Sequence, residues 1–338
     1  MEQTNGQNQE NILLEISRGF PSVIDHHHSL GILDSTKLKS YLACPRSFFF
    51  EYILGWRMDR PNIHFVFGES WHQALEYLLL DGTYSDEAVW AAYEIFLKEF
   101  RKTFPDPLQD DIYFPKTADR AMRVLAMYAG HYKRDDSQVK VLHTEIAGVV
   151  PVMDDLWMNF RLDAIVQDSE GKIRGLEHKT ASAWTQKVDQ WLLDIQPNLY
   201  LHALNVYMGV ENVHSIDMNI TSFTKNKGTK GGKLASFERR VVRKSPSQMA
   251  AFFTDLELSI ESLVGDYYRL RECAPSDLTL RAFPRNPGNC SSYNGCPFHD
   301  YCVAWGNPLP RASEPPPGWT VFRWDPSDRP AKTTIDLR

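Results

Sequence analysis

An α/β fold carrying a helical insertion is predicted by three observations. Helix-period segments fill most of the first 135 residues, strand-period segments follow from 139 to 180, and helices and strands then mix up to about 272. The 338 residues are 43% hydrophobic and 12% aromatic, enough for a sizeable core and too apolar for wholesale disorder. Against 43 Asp+Glu stand 37 Lys+Arg, a formal charge of −6, so a globally basic binder is excluded while a local basic patch is not.

Element by element, residues 1–34 read as a flexible lead-in, polar at Met1–Asn11 and without the apolar stretch of a secretory signal. Three adjacent histidines, His26–His28, point in different directions and make a poor metal site. Ser35 is the expected N-cap of the first ordered helix, with Leu38, Tyr41 and Leu42 at helical spacing behind it. Pro45 punctuates, and Ser47–Ile53 continues as a buried segment. Amphipathic helices are expected over 70–80, 86–102 and 117–134, completing a helical part at about 35–135. A sheet core at about 139–245 begins with Val139–Glu145 and continues as a strand pair, Leu156–Val166 and Lys172–Thr180, turned at Asp168–Gly171. A helix at about 189–208, strands at 214–223 and 234–243, and one long helix at 246–272 follow. The Pro-rich tail, 304–338, is expected to wrap the body, and no stretch of about 18 apolar residues suggests a membrane span.

The hairpin carries the sharpest geometry. A three-residue loop at Ser169–Gly171 leaves Asp168 and Lys172 as its flanks and, counting outward, sets Asp163 opposite Glu177 and Arg161 opposite Lys179. With a strand period of two, Asp163, Glu177 and Lys179 are expected to converge on one sheet surface. Paired carboxylates repel and are costly near apolar strands, and a divalent cation relieves that cost; oxygen ligands suit Mg²⁺ or Mn²⁺. Such an ion lowers the pKa of bound water, and a neighbouring lysine can offset charge in the transition state. The rival reading is ordinary cross-strand ion pairing.

Further features stand beside this one. Gly68, His72 and Glu76 share one helix face at spacing four, and Gln196 and Tyr200 repeat that spacing after the hairpin. Lys225, Lys227, Lys230, Lys233, Arg239, Arg240, Arg243 and Lys244 crowd a segment whose single acid is Glu238, a local excess suited to phosphate.

In this order, Gly68-x3-His72-x3-Glu76, Asp163, Glu177-His178-Lys179 and Gln196-x3-Tyr200 resemble the RecB-type branch of the PD-(D/E)XK nucleases over about residues 35–303. Leu162 stands where the superfamily's name has Pro, as in many RecB-type members. The resemblance implies a PD-(D/E)XK core with a central mixed sheet flanked by helices. It makes Asp163, Glu177, His72 and the carbonyl of His178 metal ligands, Lys179 the catalytic lysine, and Gln196 and Tyr200 partners of substrate or site.

Five cysteines, an odd count, argue against a disulfide framework and for a reducing, cytoplasmic setting in a bacterium or its host. Cys290, Cys296 and Cys302 recur at intervals of six in the segment 290–302, with Cys44 far upstream. This layout is similar to the iron–sulfur nucleases of the same branch, AddB and the CRISPR-adaptation nucleases among them. A [4Fe–4S] cluster is therefore expected, with structural Zn²⁺ as the alternative and Cys273 as the alternative fourth ligand to Cys44. The function implied is a metal-dependent exonuclease on single-stranded or resected DNA in recombination, repair or phage DNA processing. A structure-specific endonuclease and a non-catalytic DNA-binding subunit are the alternatives. No G-x-x-x-x-G-K-[ST] loop occurs, so a helicase or annealing protein would be a separate partner, and a homo-oligomer could enclose DNA.

Overall fold

The computed structural model describes residues 11–181, 190–226, 232–292 and 295–338. Its centre is a six-stranded mixed sheet built from β2 (Lys140–Met153), β3 (Leu156–Gln167), β4 (Ile173–Ala181), β5 (Val213–Phe223), β6 (Ala235–Val242) and β8 (Thr333–Asp336). The order is β6-β5-β4-β3-β2-β8, parallel at β4/β5 and β2/β8 and antiparallel elsewhere. A parallel pair needs a crossover, and helix α7 (Ile195–Met208) lies in the connection from β4 to β5. A separate two-stranded ribbon joins β1 (Trp56–Met58) to β7 (Trp319–Val321). The mixed sheet flanked by helices is the architecture the sequence predicts.

Both faces are covered. Helices α4 (Ile63–Asp81), α5 (Asp86–Thr103) and α6 (Ala118–Asp136) bury Trp71, Phe96 and Val124 against Phe223 and Ala235 of the sheet. On the other side α1 (Ile12–Ser17), α2 (Ser35–Ala43), α7 and α8 (Pro246–Arg271) bury Leu13, Leu38, Leu199 and Ile260 with Ile146, Met158 and Ile216. Helix starts follow the local chemistry: Ser85 and Thr117 accept N–H groups at the N-termini of α5 and α6, and Ser245 and Gln248 close a capping box on α8. Helix α2 is capped by Asp34, one residue before the expected Ser35, because Asp34 Oδ1 takes the Lys37 N–H at 2.8 Å. Helix α4 runs seven residues further upstream than its periodicity suggests, to an Asn62 cap, and stops at Gly82 with φ of 71°.

Two segments differ from the expectation of loose ends. From Asn11 the lead-in is packed: Leu13, Ile16, Leu30 and Leu33 are buried, and Lys37 Nζ donates to the carbonyls of Ser29 and Ile32. The tail wraps as predicted, but it also forms strands β7 and β8. The short helices α3 (Pro45–Phe48) and α9 (His299–Ala304) flank an aromatic stack in which Phe50 lies on Trp56, Phe298 on Trp319, and Tyr301 on Trp305. Among the described residues no helix is long and apolar enough to cross a membrane.

Candidate active site

The β3–β4 register is the one counted from its loop: Gln167 pairs with Ile173 and Ala164 with Leu176. Gly171, with φ of 82°, supplies the left-handed turn position, and Asp168 Oδ1 accepts the N–H groups of Glu170 and Lys172. The ladder ends one pair before Asp163 and Glu177. Instead of a strand-to-strand bond, Asp163 Oδ2 accepts the His178 N–H at 2.7 Å. The neighbouring ladder is also irregular there. Between Thr144–Ala164 and Ile146–Leu162 it skips Glu145, whose φ is 47°.

The carboxylates therefore meet where β3 and β4 part, rather than side by side above a flat surface. Asp163 Oδ1 faces His72 Nδ1 of α4 at 3.0 Å. Glu177 turns toward α7: its Oε1 accepts Lys179 Nζ at 2.5 Å and Gln196 Nε2 at 3.4 Å, while Gln196 Nε2 also donates to Tyr200 Oη at 2.8 Å. The Lys179 ammonium lies 5.9 Å from the Trp191 ring centroid. His72, Asp163, Glu177, Lys179, Gln196 and Tyr200 line one cleft of about 740 Å³, shared with Gly68 and Glu76 of α4. Residues that spacing did not single out line it as well, among them Glu69, Glu145 and, from the tail, Arg329. Arg161, expected opposite Lys179, pairs with Glu145 at 2.9 Å.

The electrostatics follow from burial. Burial alone would raise the Asp163 carboxyl, but His72 and His178, with the His178 N–H, hold it well below the usual carboxylate range. Burial and then the Asp163 charge push Glu177 up to about 7, against the pull of Lys179. Burial lowers the His178 ring to about 3. His72 is raised, burial opposing and the Asp163 carboxylate overcoming it.

A divalent cation fits these residues in one specific respect: Glu177 Oε2 is buried and, among the described residues, has no hydrogen-bond partner, and the Asp163 carboxylate is close by. As they stand, however, no three His, Cys, Asp or Glu side chains converge into a metal cluster among the described residues. His72 is engaged by Asp163, and Glu177 by Lys179, so the expected ligand side chains His72, Asp163 and Glu177 share one cleft but are closed on their neighbours, and buried His178 is not part of the cleft's lining.

Cys44, Cys290, Cys296 and Cys302 come together on a second cavity of about 380 Å³, next to Phe50 and Phe298. Burial, joined by the Cys44 and Cys290 thiols, pushes the Cys296 thiol up against the Phe298 N–H and the Ser47 side chain. Cys273 does not line this cavity; its Sγ donates to the Arg269 carbonyl at 3.3 Å.

The basic segment divides. Lys225 and Lys233 are exposed, and Lys227 and Lys230 lie outside the described residues. Arg239 is half-buried, with Nη2 at 2.7 and 2.9 Å from the Asp136 oxygens, Nε at 2.6 Å from Asn219 Oδ1, and its guanidinium over the Tyr132 ring. Its Nε and Nη2 are thus engaged within the protein. Arg240 pairs with its neighbour Glu238.

Comparison with known proteins decides the family. A family model described as the PD-(D/E)XK nuclease superfamily matches residues 35–303. The chain belongs to the PD-(D/E)XK nuclease superfamily. Members are usually nucleases, so the substrate implied for this PD-(D/E)XK protein is DNA. No curated protein matches its sequence. A solved structure titled "Crystal structure of SSO0001" aligns over 61% of this chain and 79% of its own, at 13% identity and a TM-score of 0.28.

Proposed function

We propose that this PD-(D/E)XK protein is a metal-dependent deoxyribonuclease acting as an exonuclease on single-stranded or resected DNA ends, in recombination, repair or phage DNA processing. The observation that carries the reading is the meeting of Asp163, Glu177 and Lys179 in one cleft, with Glu177 Oε2 left without a partner among the described residues. Asp163 and Glu177, aided by His72 and the His178 carbonyl, would hold Mg²⁺ or Mn²⁺. When bound, the ion supplies an acidified water and a polarised phosphoryl oxygen. His178 N–H fixes the Asp163 carboxylate, and Gln196, braced on Tyr200, fixes that of Glu177. Lys179 holds a positive charge beside Glu177, where it can stabilise a phosphate oxygen gaining charge. Exposed Lys225 and Lys233 would draw the polyanion toward the protein.

The four cysteines are proposed to hold a [4Fe–4S] cluster, with structural Zn²⁺ as the alternative, as in the iron–sulfur branch of RecB-type nucleases. Their shared cavity supports this, and the cluster's role would be to tie α2 and α3 to the tail. A separate helicase or annealing protein, or a ring of this chain, would supply processivity.

The test is cleavage of end-labelled and circular single strands with Mn²⁺, comparing the wild-type protein with Asp163→Ala and Lys179→Ala. Each variant is expected to lose about 10²-fold or more in rate, and a circle is expected to resist. Undiminished cleavage by both variants refutes the site, and a cut circle refutes exonuclease action. An anaerobic absorbance spectrum with iron and zinc analysis tests the cysteines; metal-free yet fully folded protein refutes the cluster.

A further inference from the structure

Residues beyond the family-matched segment form a wall of the catalytic cleft. The strap from Phe322 to Lys332 is anchored at both ends. Upstream, β7 pairs with β1, and Arg323 Nη1 donates to the Ile53 carbonyl at 2.9 Å. Downstream, β8 pairs with β2, and Lys332 N–H donates to the Glu145 carbonyl at 3.0 Å. Between these ends Trp324 Nε1 donates to Asp34 Oδ2 at 2.8 Å, and Arg161 donates to the carbonyls of Arg329 at 2.9 Å and Pro330 at 2.5 Å. Backbone ladders, Arg323, Trp324 and Arg161 thus dock the strap without using the side chains of Arg329 and Lys332.

Those cations face the cleft. Seven carboxylates line it, and five of them have a cation beside them: Asp163 has His72, Glu177 has Lys179, and Glu145 has Arg161. The remaining two cations come from the strap, Arg329 on Glu69 at 2.6 Å and Lys332 on Glu76 at 2.8 Å. Their side chains are 37% and 57% exposed. Their carboxylate partners are 33% and 15% exposed, so the Arg329–Glu69 pair is the more readily exchanged, and both cations keep a face in solvent. A polynucleotide entering a cleft with seven carboxylates needs cations at its phosphates, and these two are the more exposed ones.

We propose that Arg329 and Lys332 form the substrate's phosphate clamp, exchanging Glu69 and Glu76 for phosphodiester oxygens when a DNA strand enters. This rests on the nuclease reading and deepens it: Glu69 and Glu76 act as internal competitors that the strand displaces. The clamp sets affinity and strand position, while the bond-breaking groups lie deeper.

The experiment uses the full chain, a fluorescent single-stranded oligonucleotide and Ca²⁺ in place of Mg²⁺, so that binding is read by anisotropy over a series of salt concentrations. Arg329→Gln and Lys332→Gln are each expected to weaken binding about 3–10-fold and to flatten the log–log salt dependence by about 0.7, the loss of one phosphate contact to a single strand. In Mg²⁺ the loss should fall on KM, with kcat within about 2-fold of wild type. Arg329→Lys should restore most of the affinity, and Glu69→Gln should tighten binding by removing the competitor. A merely structural strap predicts none of these shifts. Variants that melt with the wild type and keep its affinity and salt slope overturn the clamp alone, provided the wild type binds and cuts. A wild-type protein that binds no DNA overturns the nuclease reading and the clamp with it.

Discussion

Arg239→Met is the most discriminating single change. Were Arg239 a DNA contact, its loss would weaken binding and leave the fold intact. The structure places it instead against Asp136, whose side chain is 2% exposed and whose two oxygens both accept from Nη2. Methionine fills the space of the stem but leaves a carboxylate buried without a counterion, which costs about 3–5 kcal/mol. At about 2.1 cal/mol/K of unfolding entropy per residue, 338 residues give roughly 0.7 kcal/mol/K, so the melting temperature should fall by about 4–7 °C. Burial already raises the Asp136 carboxyl above its ordinary value, with Arg239 opposing, and removing Arg239 raises it further. A raised folded-state pKa favours the fold below it and disfavours the fold above it, so the deficit should shrink as pH falls and Asp136 takes up a proton. Asp136→Asn combined with Arg239→Met should recover much of the loss. Calorimetry from pH 5 to 8 measures the stability, and anisotropy with labelled DNA measures the binding. An unchanged melting temperature, or weakened DNA binding without any loss of stability, refutes the reasoning.

Three further outcomes follow from other positions. Gly175→Ala would bring a Cβ to 2.6 Å from Ile216 Cδ1 and 2.9 Å from Leu162 Cδ2, and overpacking of that kind should cost about 1–3 kcal/mol in chemical denaturation. Asp266→Ala removes the acceptor shared by Tyr41 Oη, Phe283 N–H and Arg269; Tyr41 keeps the Ser262 carbonyl, and the buried Phe283 N–H left unpaired should cost about 1–3 kcal/mol, read as a shift in the urea midpoint. Burial lowers Lys116 from 10.5 to about 8, so its contribution to stability is fully present above about 10.5 and lost as pH falls through about 8. Lys116→Met should therefore flatten the rise in stability between pH 8 and 10, measured by denaturant titration.

What the sequence showed of this site depended on how local the determining physics was. The hairpin register was legible because a three-residue loop counts pairs outward from a fixed point, and the structure keeps that count as far as Ala164 and Leu176. The parting of the strands at Asp163 was not legible, since it depends on His178 N–H finding a side chain instead of a strand carbonyl. Arg239 looked like a surface cation because its counterion, Asp136, is 103 positions away on α6. Strand β8 has only four residues, too few for a period to stand out from the tail around it. The packed lead-in was hidden for a related reason. Leu13, Ile16, Leu30 and Leu33 are scattered among polar residues and gain their partners only from distant helices.

The rings around the cysteine cavity give the molecule an optical property of its own. Phe50 and Phe298 border the cavity, and Trp56 and Trp319 are stacked directly behind them at centroid separations of 5.5 and 4.9 Å. Two indoles thus stand one ring behind the cavity wall. Because an iron centre absorbs across the indole emission band and zinc does not, intrinsic fluorescence would distinguish an iron occupant from zinc without any added dye, were either bound there.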